Sequence, residues 1–536
     1  MKRIRFYYLL VFSVMLGFTS CEDDIINLTE RDRLPTAIAV ADLQGLETSM
    51  LDVYVQARSL HENNEISCYK ACGTDIANSG THMTDVQAGG MRGMMEYISA
   101  FDASSEQVRN IWNGLYLSLD KCNVVITYGG NFEAENSEEQ ARKDKIIGEA
   151  YCLRAYLYLE LAERWDNAVI SELSEEISYT AELSNQEQLL NQVVSDAQAA
   201  IPLLRSRVQT GDVGAPSKDM AYLLLAKAQM WLGDWTAAAE AADNVIAQGG
   251  QLQPLDGIFG LQGGKLGEES NQEIIFSWIF DPSIQNRPQR TVQMFVPLYD
   301  RVPGVARTLG QGARPWGRIS PSPYYWTLFD SNNNGDLDDE ADGRINAWHK
   351  RYWTVDDPDN IDPSLGSVQE GDLLSVTSPY FLNWASNDRE ARYLEPSVTK
   401  YWEDGTYGRT AADAEGFRNV IVYRLSEAYI IAAEAYMRLG NDPTALQRLN
   451  VIRERAFGDS SHNFTSIDME TIVEEQAREL GFEGHRWAFL KRLGILIERV
   501  QMHNPSASAN IQPKHVRWPI PNDFIQLLNL QQNEGY

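Results

Sequence analysis

A short acidic segment has the spacing of the oxygen ligands in a calcium-binding loop. Its candidate ligands alternate along the chain: Asp330, Asn332, Asn334, Asp336 and Asp338. Calcium binds such carboxylate and amide oxygens, and Gly335 at the sixth position would allow the sharp turn. Ala341 takes the twelfth position, so Glu340 or Asp342 would have to supply the usual bidentate carboxylate. The spacing predicts a structural Ca2+ ion, and the alternative is a solvated acidic turn.

A neighbouring segment carries aromatic side chains among glycine, proline, arginine and serine, a composition typical of an exposed loop. The rings belong to Trp316, Tyr324, Tyr325 and Trp326. Aromatic rings can stack on the apolar C–H faces of sugars, while planar polar groups beside them bind the hydroxyls. Because most Trp and Tyr residues are largely buried, packing in the core is the alternative for each ring. The segment predicts an aromatic platform for a ligand.

Catalytic motifs are missing from the sequence. No HExxH, GxSxG or GxxxxGK[ST] pattern and no cluster of Cys and His occurs, and the 7 histidines are scattered. We expect His485, beside Arg486, to be a packed residue rather than a base. Two of the 75 carboxylates could still face each other at the distance that glycosidases use. We therefore predict that the protein is not an enzyme, and a surface glycosidase is the alternative.

Amphipathic helices are predicted to position these loops. Apolar residues recur every three or four positions in four segments of the first half: Ala41–Glu62, Glu106–Tyr128, Asp144–Trp165 and Asn185–Leu204. This period is that of a packed helix. In the third of them Arg154 lies on a mostly apolar face, so we expect it to be partly buried and paired with a carboxylate.

Two later segments share the small-and-large spacing of tetratricopeptide helix pairs. The first runs from Tyr222 to Val245 and the second from Tyr429 to Ile452. Alanines would let the paired helices approach closely, and Gly233 and Gly440 would supply the turns. Two pairs are too few for a free-standing solenoid, so the earlier helices should complete the scaffold.

The stretch between the two pairs has a different composition, rich in Pro, Gly and Trp, with a strand-like run at Glu273–Phe280. We predict a mainly α fold with a loop-rich insertion and a few short strands. The chain then divides into a signal peptide, an acidic tether, an N-terminal helical part, the insertion and a C-terminal part: 1–20, 21–40, 41–250, 251–419 and 420–536.

The N-terminus has the pattern of a bacterial lipoprotein signal. Lys2, Arg3 and Arg5 precede the apolar run Phe6–Phe18, and small residues lead to Cys21. The run is shorter than the roughly 20 residues that span a bilayer, so we expect no transmembrane helix in the mature protein. Acidic residues directly after Cys21 favour lipidation of Cys21 over an ordinary signal peptide.

Net charge and apolar content exclude some classes of partner and of chain. Asp and Glu number 75 against 46 for Lys and Arg, a net charge of -29 that opposes binding of nucleic acid. An apolar content of 43% excludes a disordered chain.

Cys68, Cys72, Cys122 and Cys152 lack the partners of a zinc site, and we predict buried free thiols without inferring any disulfide.

Spacing in the last third also predicts ion pairs that maintain the fold. Glu474 and Glu475 precede Arg478 by four and three residues, and Glu483 precedes Arg486 by three. The prolines of the Trp518–Pro521 segment suit a chain end that packs back on the core.

Several motifs follow one another in an order that resembles the SusD/RagB family. They are the lipoprotein signal, the helix with Trp112 and Asn123, the helix GEAYCLRAYLYLELAERW, the first helix pair, and the segments Tyr423–Ala435, Glu475–Arg492, Trp518–Pro521 and Gln532–Tyr536. The insertion is only weakly matched. Gln476 and Phe489 stand where this family more often has Arg and Asp.

The resemblance implies a cell-surface lipoprotein of the outer membrane of Bacteroidetes, which binds oligosaccharides and partners a SusC-like TonB-dependent transporter. Peptides are the ligand in some branches of the family, and a pure tetratricopeptide interaction scaffold is a further alternative. In the family the binding face is built from the segment after the first helices and from the insertion. This places the candidate ligand contacts at Asp75, Asn78, Arg92, Tyr97, Trp316, Tyr324, Tyr325 and Trp326.

Overall fold

The structure is a computed structural model, which describes residues 40–62, 68–83, 90–173, 180–259, 271–283, 288–338 and 340–536. The predicted signal peptide, the lipidation of Cys21 and nearly all of the predicted tether lie outside the described residues. No helix in the described ranges is long and apolar enough to cross a membrane.

Helices dominate the chain, as the predicted mainly α fold class requires, and the prediction is confirmed. The first part contains α1 Leu43–Arg58, α2 Met91–Glu96, α3 Glu106–Asn131, α4 Ser137–Arg164, α5 Gln186–Ala200, α6 Arg207–Thr210, α7 Lys218–Leu232 and α8 Trp235–Ile246. In the described residues of the insertion the helices are short: α9 Leu255–Ile258, α10 Thr291–Met294, α11 Pro323–Thr327, α12 Arg344–Ala347 and α13 Pro379–Trp384. The last part contains α14 Leu425–Arg438, α15 Asp442–Phe457, α16 Met469–Leu480, α17 Arg486–Arg492, α18 Leu496–His503 and α19 Asn522–Leu528.

Among the residues that the structure describes, short strands pair in four antiparallel two-stranded sheets. The strands are β1 Ala77–Ser79, β2 Ile274–Trp278, β3 Ile319–Pro321, β4 His349–Lys350, β5 Trp353–Thr354, β6 Leu373–Leu374, β7 Ser397–Val398 and β8 Val420–Arg424. They pair as β1 with β3, β2 with β8, β4 with β7 and β5 with β6. The β2–β8 pair ties the beginning of the insertion to its end, and β2 confirms the predicted strand-like run.

The first helices pack as a bundle around a buried ion pair. α3 packs on α1 and on α4, and α5 packs on α4. Arg154 of α4 donates two hydrogen bonds to Asp196 of α5, at 2.9 and 2.7 Å. The predicted pairing of Arg154 with a carboxylate is therefore confirmed, and the bidentate geometry fixes α5 against α4.

The two tetratricopeptide-type pairs stack on each other across the insertion. α7 packs on α8, α14 packs on α15, and α8 packs on α14. Ala242 of α8 and Ala432 of α14 are fully buried, so the helices approach closely. Gly233 and Gly440 end the first helix of each pair with φ of 78° and 73°, the left-handed conformation that glycine adopts without strain.

A layer of buried charges joins α16 to the insertion and to β8. Arg344 binds Glu475 and Glu479 at 2.8 and 3.1 Å, and Arg424 binds Glu483 at 2.7 Å. All five side chains are at most 3% exposed, so each charge depends on its partners in the layer. The predicted pairs of Arg478 with Glu474 and Glu475 form at 2.8 and 3.1 Å on α16.

The predicted pair between Glu483 and Arg486 is wrong. Glu483 binds Lys400 at 2.6 Å and Arg424, whereas Arg486 binds Asp75 at 2.6 Å. The physical reason is that α16 ends at Leu480 and α17 begins at Arg486, so a spacing of three does not place the two side chains on one helix face.

The chain end packs back on the core, as predicted. The indole of Trp165 donates to the carbonyl of Pro519 at 2.8 Å, and Asn533 donates to the carbonyls of Trp165 and Trp518 at 2.8 Å. The hydroxyl of Tyr536 donates to the carbonyl of Arg517 at 3.0 Å. These contacts hold the last segment, residues 517–536, against the C-terminal end of α4.

The cysteines of the described ranges are buried free thiols, which confirms the prediction made for them. They are Cys68, Cys72, Cys122 and Cys152. Burial raises the pKa of the Cys122 and Cys152 thiols, so both stay protonated and unreactive at neutral pH.

Candidate functional site

Pairing of β1 with β3 brings together the two segments in which ligand contacts were predicted. Asn78 lies directly opposite Ser320, and the backbone N–H of Ser322 donates to the carbonyl of Ile76 at 2.8 Å. Side chains opposite each other in an antiparallel pair point to the same side of the sheet. We call the side of this pair that carries Asn78 the β1–β3 face, defined by the buried Ser320 and by five half-buried side chains, Asn78, Tyr324, Arg392, His503 and Ser506.

The turn that follows α18 forms one wall of the β1–β3 face. Asn504 anchors this turn, because its amide donates to the carbonyls of Thr74 and Ala77 at 2.7 Å. Ser506 accepts from the backbone N–H of Ser79 at 3.2 Å and donates to the amide oxygen of Asn78. The side chain of Asn78 is thus held by its oxygen, and its NH2 group is left to donate elsewhere.

Tyr324 and His503 form a stacked aromatic pair at the edge of the β1–β3 face. Their ring centroids are 3.8 Å apart and the rings are inclined by 23°. Arg499 donates a hydrogen bond to the hydroxyl of Tyr324, which fixes the ring in its plane. Burial raises the pKa of Tyr324 to about 12, so the phenol is neutral. Both rings are half-buried, so a ligand can reach them.

Asp75 lies beneath the β1–β3 face rather than on it. Its carboxylate is fully buried and binds Arg486 at 2.6 Å and Arg499 at 3.3 Å. Burial alone would raise the pKa of Asp75, but the guanidinium of Arg486, followed by that of Arg499, lowers it below the usual range. The ionised Asp75 therefore orients Arg499, and through it Tyr324, instead of presenting a carboxylate to a ligand.

Arg392 reaches the β1–β3 face from the insertion. Its guanidinium donates to the carbonyl of Ser79 at 2.6 Å and to the hydroxyl of Ser320 at 3.1 Å, and it binds Glu395 at 2.6 Å. The side chain is half-buried, so part of the guanidinium faces solvent. A planar donor of this kind suits the hydroxyls of a sugar.

Arg92 lies beside the opposite side of β1. Its guanidinium binds Glu96 at 2.9 Å, and Glu96 accepts from the hydroxyl of Ser79 at 2.8 Å. Because successive side chains of a strand alternate, Ser79 and Arg92 are on the side away from Asn78.

Trp316 lies just before β3, next to the segment that continues β1. The backbone N–H of His82 donates to the carbonyl of Gly317 at 2.9 Å, and Arg318 donates to the carbonyl of His82. The guanidinium of Arg318 lies 4.5 Å from the centre of the half-buried Trp316 ring. Trp316 thus extends the accessible aromatic surface beyond the β1–β3 face.

Of the remaining predicted contacts, Tyr97 and Tyr325 are buried in the core and Trp326 is half-buried. Tyr97 is 3% exposed, donates to the carbonyl of Gly73 at 2.7 Å and accepts from the indole of Trp487 at 2.9 Å. Tyr325 is fully buried, with its hydroxyl 3.0 Å from His349. Trp326 is half-buried and packs edge-on against His349. The structure therefore leaves Asn78, Arg92, Trp316, Tyr324 and Trp326 partly accessible, and ligand binding by any of the predicted residues stays a prediction.

Sequence reasoning missed the side chains that complete the β1–β3 face. His503, Ser506 and Arg392 lie far in sequence from β1, and no motif surrounds them. The available signal was weak: His503 is the last residue of an amphipathic helix, α18, whose buried side carries Leu496 and Val500. His485, by contrast, is packed as the sequence predicted, since its side chain is 11% exposed and its ring stacks on Tyr423; burial lowers its pKa well below the usual range.

The acidic loop folds around its own side chains. The carboxylate of Asp330 accepts from the backbone N–H groups of Asn334 and Gly335 at 3.0 and 2.9 Å. Asp342, one candidate for the twelfth position, binds Arg344 at 2.6 Å in the core and is not available to the loop. Within the described ranges no group of three or more His, Cys, Asp or Glu side chains is arranged to hold a metal ion. Calcium binding by Asp330, Asn332, Asn334, Asp336 and Asp338 stays a prediction.

Two family models match the chain. A model described as the SusD family matches residues 272–536, and a second, described as starch-binding associating with outer membrane, matches residues 45–230. Together they cover most of the helical parts and much of the insertion.

Curated relatives align with all or part of the chain. SusD-like protein P25 of Formosa agariphila is 25% identical over an alignment of 566 positions that covers 98% of this chain and 97% of the relative. The starch-binding protein SusD of Bacteroides thetaiotaomicron is 30% identical over 123 residues, 22% of each chain.

Solved structures share the fold at low identity. A SusD homolog from Bacteroides thetaiotaomicron has a TM-score of 0.74 at 18% identity, covering 95% of this chain and 100% of its own. A laminarin binding SusD-like protein has a TM-score of 0.69 at 18% identity, covering 92% and 99%.

Proposed function

Because this chain belongs to the SusD/RagB family, we propose that it is a non-catalytic lipoprotein of the cell surface that captures oligosaccharides. It delivers them to a SusC-like TonB-dependent transporter for uptake. The observation that carries the ligand class is the stacked pair of Tyr324 and His503, beside the polar side chains of Asn78 and Arg392.

The β1–β3 face has the two features that sugars require. The part of the Tyr324 ring that His503 and Arg499 leave uncovered offers an apolar surface for the C–H groups of a pyranose. The NH2 group of Asn78 and the solvent-facing part of Arg392 are planar donors that can bind neighbouring hydroxyls. Trp316 supplies a second half-buried ring, which precedes β3 whereas Tyr324 follows it, so a ligand that contacts both rings must be longer than a single sugar.

The family matches support a carbohydrate as ligand and the outer membrane as location. The model that matches residues 45–230 is described as starch-binding associating with outer membrane, and the Bacteroides thetaiotaomicron relative is a starch-binding protein. The transporter partner follows from the family resemblance alone.

Anchoring through Cys21 completes the proposal. The basic residues, the apolar run and the cysteine have the order of a lipoprotein signal. In a Bacteroidetes host, Cys21→Ser should shift the protein from the membrane fraction to the soluble fraction. Retention of the Cys21→Ser protein in the membrane fraction would contradict lipid anchoring.

A binding screen tests the ligand class. The protein lacking residues 1–21 would be titrated with neutral, acidic and mucin-type glycans and with casein peptides, and the same samples would be analysed for products. We expect saturable glycan binding without new products, and weaker binding by Tyr324→Ala. Turnover of a glycan would make the protein an enzyme, and binding of peptides alone would replace the carbohydrate with a peptide ligand.

A further inference from the structure

We propose that His503 contacts the ligand directly and, with Tyr324 and Asn78, binds the edge of an uncharged sugar ring. This inference rests on the proposed function, because it names the class of sugar that the β1–β3 face accepts. His503 comes from the C-terminal part, which the sequence did not connect with ligand binding.

The ring nitrogens of His503 have no competing partner. No hydrogen bond joins either nitrogen to another residue of the described ranges, and the ring is half-buried. Its flat side packs on Tyr324 at 3.8 Å, so the edge that bears the nitrogens is the part left for a ligand. The same holds for the NH2 group of Asn78, whose amide oxygen is bound by Ser506.

The neutral form of His503 matches a sugar hydroxyl. Burial lowers the pKa of His503, and so does the guanidinium of Arg499 on its own helix. The other charged groups near it are Arg486 on α17, Glu470 on α16 and Asp75 before β1. A neutral imidazole carries one donor and one acceptor, as a hydroxyl group does, so the two can exchange hydrogen bonds.

Charges around this end of the site are balanced, which disfavours an anionic ligand. Arg486 and Arg499 share Asp75, and Arg499 also binds Glu470 at 2.7 Å. Arg392 binds Glu395 at 2.6 Å. Each of these guanidinium groups is matched by a carboxylate, so no excess positive charge offsets the -29 of the whole chain.

Three variants test whether His503 contacts the ligand or only packs against Tyr324. His503→Ala removes both the stacking and the nitrogens, whereas His503→Phe keeps an aromatic ring under Tyr324 and removes only the nitrogens. His462→Ala is the matched control, because His462 stacks on Phe457 at 4.2 Å and is exposed on a different part of the chain. Thermal unfolding of each variant shows whether the fold is kept.

The probes are maltohexaose, laminarihexaose and mannohexaose as neutral sugars, and oligogalacturonate and sialyllactose as acidic ones. Calorimetric titration at about pH 7.5 should show binding of a neutral probe, weakened about tenfold in both His503→Ala and His503→Phe and unchanged in His462→Ala. The affinity of the wild type should fall as the pH is lowered below the usual histidine range and the imidazole is protonated, and that of His503→Phe should not.

Four outcomes would overturn parts of this scheme. If His503→Phe binds the glycan with wild-type affinity, the nitrogens of His503 do not contact the ligand and its ring only packs on Tyr324. Wild-type affinity in His503→Ala would remove His503 from the site while leaving the proposed function intact. Tighter binding of an acidic probe than of any neutral one would overturn the ligand class. A wild type that binds none of the glycans would overturn the proposed function itself.

Discussion

Arg486 holds the carboxylate of Asp75 through two parallel hydrogen bonds. The distances are 2.8 Å from Nε to Oδ1 and 2.6 Å from Nη2 to Oδ2, and the side chains are 3% and 0% exposed. The pair joins the segment before β1 to α17, and Asp75 in turn contacts Arg499, the partner of Tyr324. Asp75 therefore lies beneath the candidate site and also joins two segments that are distant in sequence.

Breaking this buried pair should be costly. Asp75→Asn leaves the guanidinium of Arg486 without its anion in the core, and we expect the free energy of unfolding to fall by about 3–5 kcal/mol. Urea denaturation followed by circular dichroism measures the change. Glu470→Gln is the control, since Glu470 binds Arg499 but is 55% exposed, and its loss should cost at most about 1 kcal/mol. Equal losses in both variants would contradict a special role for the buried pair.

Acid should destabilise the protein through its paired carboxylates. Burial alone would raise the pKa of Glu475, but Arg344 and then Arg478 and Arg453 lower it to about 2. The pKa of Asp75 is also lowered, chiefly by Arg486. A carboxyl group whose pKa is lower in the folded state contributes stability above its unfolded pKa and loses it as pH falls through the folded value. Urea midpoints should therefore fall from about pH 4.5 downward, towards pH 2, and constant midpoints over that range would contradict the assignment.

Local patterns predicted the scaffold well, because a helix period depends on neighbours in sequence. The helices α3, α4 and α5 and both tetratricopeptide-type pairs lie where the apolar spacing placed them. The site could not be predicted in the same way, since β1, Tyr324 and the turn after α18 meet only through tertiary contacts such as those of Asn504. Tyr97 and Tyr325 have the residue type of a sugar-binding ring, and only the fold reveals that they are buried.

The turn of the second helix pair tests whether a glycine is needed there for its backbone conformation. Gly440 has φ of 73° and no atom within 4 Å of an added Cβ, so Gly440→Ala should cost about 1 kcal/mol through backbone strain alone. Gly130 in α3 has equally open space but helical geometry, and Gly130→Ala should stabilise the protein by about 0.5–1 kcal/mol. Denaturation midpoints compare the two, and changes of the same sign would contradict this explanation.

The predicted calcium site can be tested by measuring how many Ca2+ ions the protein binds. If Asp330 and Asp336 are ligands as their spacing predicts, equilibrium dialysis should detect one Ca2+ ion per chain, and the double variant Asp330→Ala, Asp336→Ala should lose it. Asp359→Ala, in another acidic turn of the insertion, is the control and should bind as the wild type does. Absence of binding in the wild type at millimolar calcium would leave the loop a solvated acidic turn.

Trp316 can be tested against an equivalent residue that lies away from the site. The Trp316 ring has the guanidinium of Arg318 4.5 Å from its centre, and the half-buried Trp235 ring of α8 has that of Arg438 at 4.5 Å. Replacing either ring by Ala removes similar local packing, so the two variants should lose similar stability. Only Trp316→Ala removes an aromatic surface beside the β1–β3 face, and we expect it to weaken oligosaccharide binding about tenfold while Trp235→Ala leaves the affinity unchanged. Calorimetric titration with the best glycan of the screen measures both, and equal affinities in the two variants would exclude Trp316 from the binding surface.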